Sequence, residues 1–116
     1  MFVILLAAVL ACRADSVIYT DCLGYASAII CTTAGRSMEP AIHAGDSLLI
    51  VRCTAADLHV GDVAAWEDSH GVWRVHRVME VRPDGVLFCG DNAKTDGWVK
   101  PVCVRGRVVQ IFRRSI

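Results

Sequence analysis

Ser37 lies in the run Gly35-Arg36-Ser37-Met38-Glu39-Pro40, which Gly45-Asp46 closes before the apolar run from Ser47 to Val51 begins. Pro40 fixes its own φ and pushes Glu39 toward extended geometry, so Ser37 and Met38 fall on a stiff bend rather than inside an element. Gly35 lets the backbone pass close to a neighbour, and Gly45-Asp46 turns the chain into the next strand. A hydroxyl on a rigid bend after a strand suits a nucleophile; an ordinary turn serine is the alternative. Such a hydroxyl is weak at neutral pH and needs a base within hydrogen-bond reach. Four histidines are available. His43 and His59 fall in connectors and His70 in a polar turn, where surface positions are expected. His76 alone sits mid-strand, between Val75 and Arg77, where it must find partners of its own.

Several short motifs follow in order along the chain. They are Ser37-Met38-Glu39-Pro40 with Ile42 and Gly45-Asp46, then Val60-Gly61-Asp62-Val63, then Arg74-Val75-His76-Arg77-Val78. Cys89-Gly90-Asp91-Asn92 comes next, and Val104-Arg105-Gly106-Arg107-Val108-Val109 last. This series resembles the boxes of type I signal peptidases and their relatives, over the stretch from Ala34 to Ile111. Most bacterial members carry lysine where this chain has His76; the histidine form resembles the endoplasmic-reticulum, archaeal and sporulation-type branch. A histidine base starts from a pKa of about 6.5 and a lysine from about 10.4, so a histidine needs no large depression to work near pH 7.

The resemblance implies a serine endopeptidase that cleaves extended, membrane-proximal polypeptide after small residues, with Ser37 as nucleophile and His76 as base. A third group should hold the imidazole in its productive tautomer. Asp91 follows Gly90 in its box, and Asp96 resembles the second aspartate of histidine-type members, so both are candidates. The alternative for Asp91 is a structural pairing with Arg77. The Ser37 backbone N–H should meet the oxyanion. Many relatives place a second hydroxyl two residues before the nucleophile, a position that Gly35 holds here. Substrate should add as an extended strand between the run before Ser37 and the strand holding His76. Met38, Ile42 and Val75 occupy positions that resemble the family's apolar specificity pocket, and each also fits plain core packing. Glu39 and Asp46 are expected to support the bend and its closing turn.

The elements that must position these groups read as short strands. Ser27 to Thr33 leads into the bend, Ser47 to Arg52 leaves it, and Thr54 to His59 is a connector with room for a helical turn. Asp62 to Trp66 is a strand, Glu67 to Gly71 a polar turn, and Val72 to Val81 the longest strand. Its alternation puts Trp73, Val75, Arg77, Met79 and Val81 on one face, and Arg74, His76, Val78 and Glu80 on the other. Pro83-Asp84-Gly85 is a turn, Val86 to Cys89 its hairpin partner, Asp91 to Pro101 a polar loop, and Arg105 to Phe112 the last strand. From Arg13 to Ala26 only a loop with a short strand is expected. So many short strands at close spacing mean an all-β domain, and the resemblance implies coiled antiparallel sheets with barrel-like closure.

A chain of 116 residues has room for one domain with a modest core. Twelve basic residues balance twelve acidic ones, so nothing favours nucleic acid as a partner. The six cysteines form no Cys-x-x-Cys pair, so metal-site spacing is absent, and no phosphate or dinucleotide loop is present. No cofactor is expected. Several cysteines fall at strand positions that suit a small buried hydrophobe, which favours free thiols over disulfides.

Hydrophobic residues make up 54% of the chain, and mean hydropathy is +0.44, with the excess near the N-terminus. Residues 1–12 form an apolar segment and 13–116 the β domain. As a helix, Phe2 to Cys12 would span about 16 Å, half of a ~30 Å hydrocarbon core. It reads as an anchor, as a signal-like segment without the usual preceding charges, or as an element packed on the domain. Membrane association with an extracytoplasmic catalytic domain is the leading expectation. Two rival functions are a non-catalytic β-domain that binds peptides or a partner, and a self-cleaving repressor relative. The second calls for a DNA-binding domain and usually a lysine base.

Overall fold

The structure, a computed structural model, describes the backbone of residues 16–22 and 25–114 and the side chains of residues 28–114. The apolar segment 1–12 and its proposed membrane role lie outside the described residues. The described residues form eight strands: β1 Ser16–Cys22, β2 Tyr25–Thr33, β3 Ser47–Arg52, β4 Val63–Glu67, β5 Trp73–Arg82, β6 Gly85–Cys89, β7 Thr95–Val99 and β8 Val104–Phe112. Two single 3₁₀ turns, Ala55–Asp57 and Pro101–Cys103, interrupt the connections. No described helix is long and apolar enough to cross a membrane.

All pairings are antiparallel, in the order β1-β2-β3-β8-β4-β5-β6-β7, and β1 also pairs β5. That last pairing, Ser16 opposite Arg74 and Val17 opposite Trp73, brings the far ends of six strands together. The antiparallel, all-β character matches the expectation; the short β1–β5 contact joins the ends of this six-strand run, and the β6–β7 hairpin extends from β5 beyond it. Closure leaves few unpaired backbone groups, which a short chain with a small core needs.

Two apolar cores lie on opposite sides of β4 and β5. The first gathers Ile29 and Cys31 of β2, Leu48 and Ile50 of β3, Ala65, Trp73 and Val75, together with Met38 and Ile42 from the bend. The second gathers Ala64, Val78, Val86, Phe88, Val99 and Val104 over the 3₁₀ turn that carries Ala55. Successive residues of a strand point to opposite faces. Ala64 and Ala65 therefore serve different cores, and both are fully buried. Cys31, Cys53, Cys89 and Cys103 are free thiols.

Three expectations need correction. The segment from Asp91 to Pro101 is not all loop: it contains β7, whose polar sequence Thr95-Asp96-Gly97-Trp98-Val99 reflects an outer strand that buries only Val99. Residues 16–22 form a full strand, and β2 begins at Tyr25. The strict alternation expected along β5 fails at a bulge, where Val78 faces Phe88 but Glu80 faces Leu87. The extra residue, Met79, turns outward at 49% exposure, so Val81 packs against the same core as Val78.

Candidate active site

Ser37 sits on the crossing from β2 to β3, and this crossing is held at its base and its middle. At the base, the Thr33 N–H donates to the Asp46 carbonyl at 2.9 Å and the Gly45 N–H to the Thr33 carbonyl at 2.8 Å. The Thr33 hydroxyl donates to the carbonyls of His43 and Asp46, each at 3.1 Å. In the middle, the Ile42 N–H donates to the Met38 carbonyl at 2.9 Å. Met38 and Ile42, each 4% exposed, pin this turn into the first core. The Glu39–Pro40 peptide is cis. Val75, the third residue proposed for substrate contact, is buried in the same core.

His76 comes from β5, opposite Ala64 of β4, and is 2% exposed. Its Nε2 lies 2.8 Å from Ser37 Oγ, and its Nδ1 lies 2.5 Å from Asp96 Oδ2. Chemistry assigns the protons. An ionised carboxylate only accepts, so Nδ1 carries the hydrogen and donates to Asp96; Nε2 of the neutral ring then accepts from the Ser37 hydroxyl. The three groups form one chain of hydrogen bonds that links residues far apart in sequence. The Ser37 backbone N–H makes no hydrogen bond among the described residues.

Asp91 is placed otherwise. Its two oxygens each accept from Arg77, Nε and Nη2, at 2.8 Å, while Arg77 Nη1 donates to the Gly61 carbonyl at 2.8 Å. The Arg77 hydrogen bond holds the Asp91 carboxyl below its ordinary range, against a smaller opposing effect of burial. Thus Asp96 alone of the two candidates touches the imidazole, and Asp91 serves the loop. The other histidines lie apart from the dyad: His43 is 49% exposed and His59 82% exposed in their side chains, and His70 is exposed in the β4–β5 turn.

Two contacts had no clear sequence signal. Asn92 donates its backbone N–H to the Ser37 carbonyl at 2.7 Å and its side-chain amide to the Arg36 carbonyl at 3.2 Å, so the loop after β6 latches the bend. Gly90 makes that approach feasible. A Cβ there would stand 2.7 Å from the Ser37 carbonyl oxygen, 2.9 Å from the Ala93 Cβ and 3.2 Å from His76 Nε2. The motif Gly90-Asp91-Asn92 is visible in the sequence, but its proximity to Ser37 is a product of the fold.

A groove of about 340 Å³ borders Asp96, walled by Trp66, Glu67, Asp68, Trp98 and Lys100. The larger groove of about 540 Å³ between Ala55, Val81 and Val102 includes none of the site residues. Among the described residues no cluster of histidine, cysteine, aspartate and glutamate could hold a metal ion. Comparison with protein-family models, with curated proteins and with solved structures finds no match to this chain.

Proposed function

We propose that this protein is a serine endopeptidase of signal-peptidase type, acting on extended polypeptide. The observation that carries the reading is the relay Ser37 Oγ–His76 Nε2, 2.8 Å, and His76 Nδ1–Asp96 Oδ2, 2.5 Å, with the imidazole buried. Nε2 removes the hydroxyl proton as Ser37 Oγ attacks the scissile carbonyl, and Asp96 stabilises the imidazolium that forms. The same proton passes from Nε2 to the leaving amine, and a water molecule activated by His76 then releases the acyl group from Ser37. The Ser37 N–H, which no described group occupies, is the donor assigned to the oxyanion. Met38, Ile42 and Val75, packed in the first core, are the side chains we assign to the small substrate residue next to the cleaved bond. Membrane-proximal substrates follow from the resemblance and from the apolar segment 1–12.

Ser37→Ala and His76→Ala decide the matter, because nucleophile and base act as one unit. Each variant should lower kcat/KM on a peptide ending its acyl portion in alanine by on the order of 10⁴-fold or more, with the fold retained by circular dichroism. Retention of more than a few per cent of turnover in either folded variant would remove the dyad from the mechanism. Fractionation of a tagged chain with and without residues 1–12 checks the membrane assignment.

A further inference from the structure

Asp46 is a buried titratable group that the cleavage chemistry leaves unused. Its side chain is 1% exposed, and a carboxylate so placed is costly unless its lone pairs are matched. They are matched from two directions. Within the bend, Oδ2 accepts the His43 backbone N–H at 2.8 Å. From beyond the end of β8, the Arg114 backbone N–H donates to Oδ1 at 3.0 Å, and the Arg113 guanidinium stands 3.4 Å from Oδ2. Arg113 also reaches the Ala41 carbonyl at 3.4 Å. A Cβ on Gly45, whose φ is +90°, would stand 2.6 Å from Arg114 Cδ, so the Arg114 side chain lies directly against the closing turn. Burial pushes the Asp46 carboxyl up, but the N–H groups of His43 and Arg114 and the charges of Arg113 and His43 together outweigh it and hold the group ionised.

We propose that Asp46 is a positioning residue for Ser37 and that Arg113 and Arg114 complete its clasp, an assignment that rests on Ser37 being the nucleophile. The bend leaves β2 at Thr33 and rejoins β3 at Asp46, so its shape is set by what holds its exit. His76 is fixed separately, in β5. Releasing the exit moves Ser37 relative to an imidazole that does not follow, and a misplacement of about 1 Å costs on the order of 10²-fold in rate. An asparagine at position 46 has nearly the same volume but turns an N–H₂ toward one of the two incoming N–H donors, which breaks one arm of the clasp.

Asp46→Asn should lower kcat by about tenfold or more with KM within about twofold, measured well below Tm. Arg113→Ala should lower kcat by a few-fold and Arg113→Lys should restore most of it, through a side chain that is 53% exposed and tolerates change. Ending the chain after Phe112 should match Asp46→Asn, and the combination should add nothing, as for one shared unit. The ¹⁵N resonance of His76 Nε2 reads the Ser37 hydrogen bond without turnover. In Asp46→Asn it should move toward its position in Ser37→Ala. An unmoved resonance with Asp46→Asn folded, or an unchanged kcat, overturns the clasp. If Asp46→Asn does not fold, the Arg113→Ala resonance and its recovery in Arg113→Lys decide in the same way. A wild type that cleaves no peptide while the resonance moves as expected would sink the peptidase reading and leave the positioning intact.

Discussion

Met38 and Ile42 sink the serine bend into the first core, each at 4% exposure, whereas Asp91 through Asp96 all lie at the surface. The bend is shaped by packing and by backbone bonds that close its base. The segment from Asp91 into β7, which bears Asp96, is held at the surface by polar contacts: Asn92 on the Ser37 and Arg36 carbonyls, Arg77 on Asp91, and the Thr95 hydroxyl on the Phe88 carbonyl at 3.1 Å. Apolar burial is short-ranged and tied to volume, while a polar contact depends on one donor and one acceptor. Damage to the bend should therefore appear in stability and activity together. Damage to this polar segment should appear in activity with the fold preserved.

Of the substitutions that separate the two regions, Asp96→Asn should have the largest effect on rate, short of removing Ser37 or His76 themselves. Its amide can turn an N–H₂ toward Nδ1, favouring the other tautomer, and carries no charge to stabilise the imidazolium, so kcat should fall on the order of 10³-fold or more with Tm within about 2 °C. A matching loss of Tm would mean that the Asp96 carboxylate also holds the fold. Gly90→Val comes next, because its side chain must displace the Ser37 carbonyl or the imidazole; kcat should fall about 10²-fold. A crystal structure of that variant with the Ser37–His76 distance unchanged would break the inferred latch.

Ile42→Ala probes the bend from within. A buried isoleucine truncated to alanine costs about 2–4 kcal/mol, which chemical denaturation would read as a lower midpoint with unchanged slope. Folded Ile42→Ala should also lose several-fold in kcat, and full activity per folded molecule would show that the core does not place the serine. Asp91→Asn is milder: the doubly bonded pair with Arg77 is partly exposed, so stability should drop by about 1 kcal/mol and activity by a few-fold. The smallest effect is in pH. The folded-state pKa of Asp46 is depressed, so its stabilisation is present above the unfolded value of about 3.9 and is lost as pH falls through the lower folded value. Between pH 5 and 3, Tm of Asp46→Asn should fall less than that of the wild type; parallel curves would show that Asp46 is not the group titrating.

Most strands were legible because apolar runs punctuated by Gly, Pro and Asp report burial and turning directly. β3 matches its expected span of Ser47 to Arg52, and Pro83-Asp84-Gly85 marks the tight turn between β5 and β6. β7 was not legible because an outer strand needs no apolar alternation, and only its pairing with β6 defines it. The Met79 bulge was hidden too, since a one-residue slip leaves no mark in composition. Among the candidate residues, Ser37 on its bend and His76 in mid-strand were singled out by local setting together with the motif resemblance. The choice between Asp91 and Asp96 was not.

Local chemistry determined the all-β character and the stiff serine bend, while the resemblance to the signal-peptidase boxes narrowed the candidate groups to Ser37, His76, Asp91 and Asp96. Those properties depend on neighbours in the chain: fixed φ at proline, period-two alternation, and side-chain type. Only the tertiary structure decided which aspartate meets the imidazole, that Gly90 lies against Ser37, and that the chain beyond β8 grips Asp46. Each of these joins segments far apart in sequence, and their meeting depends on sheet register and closure, which no stretch of the chain carries by itself.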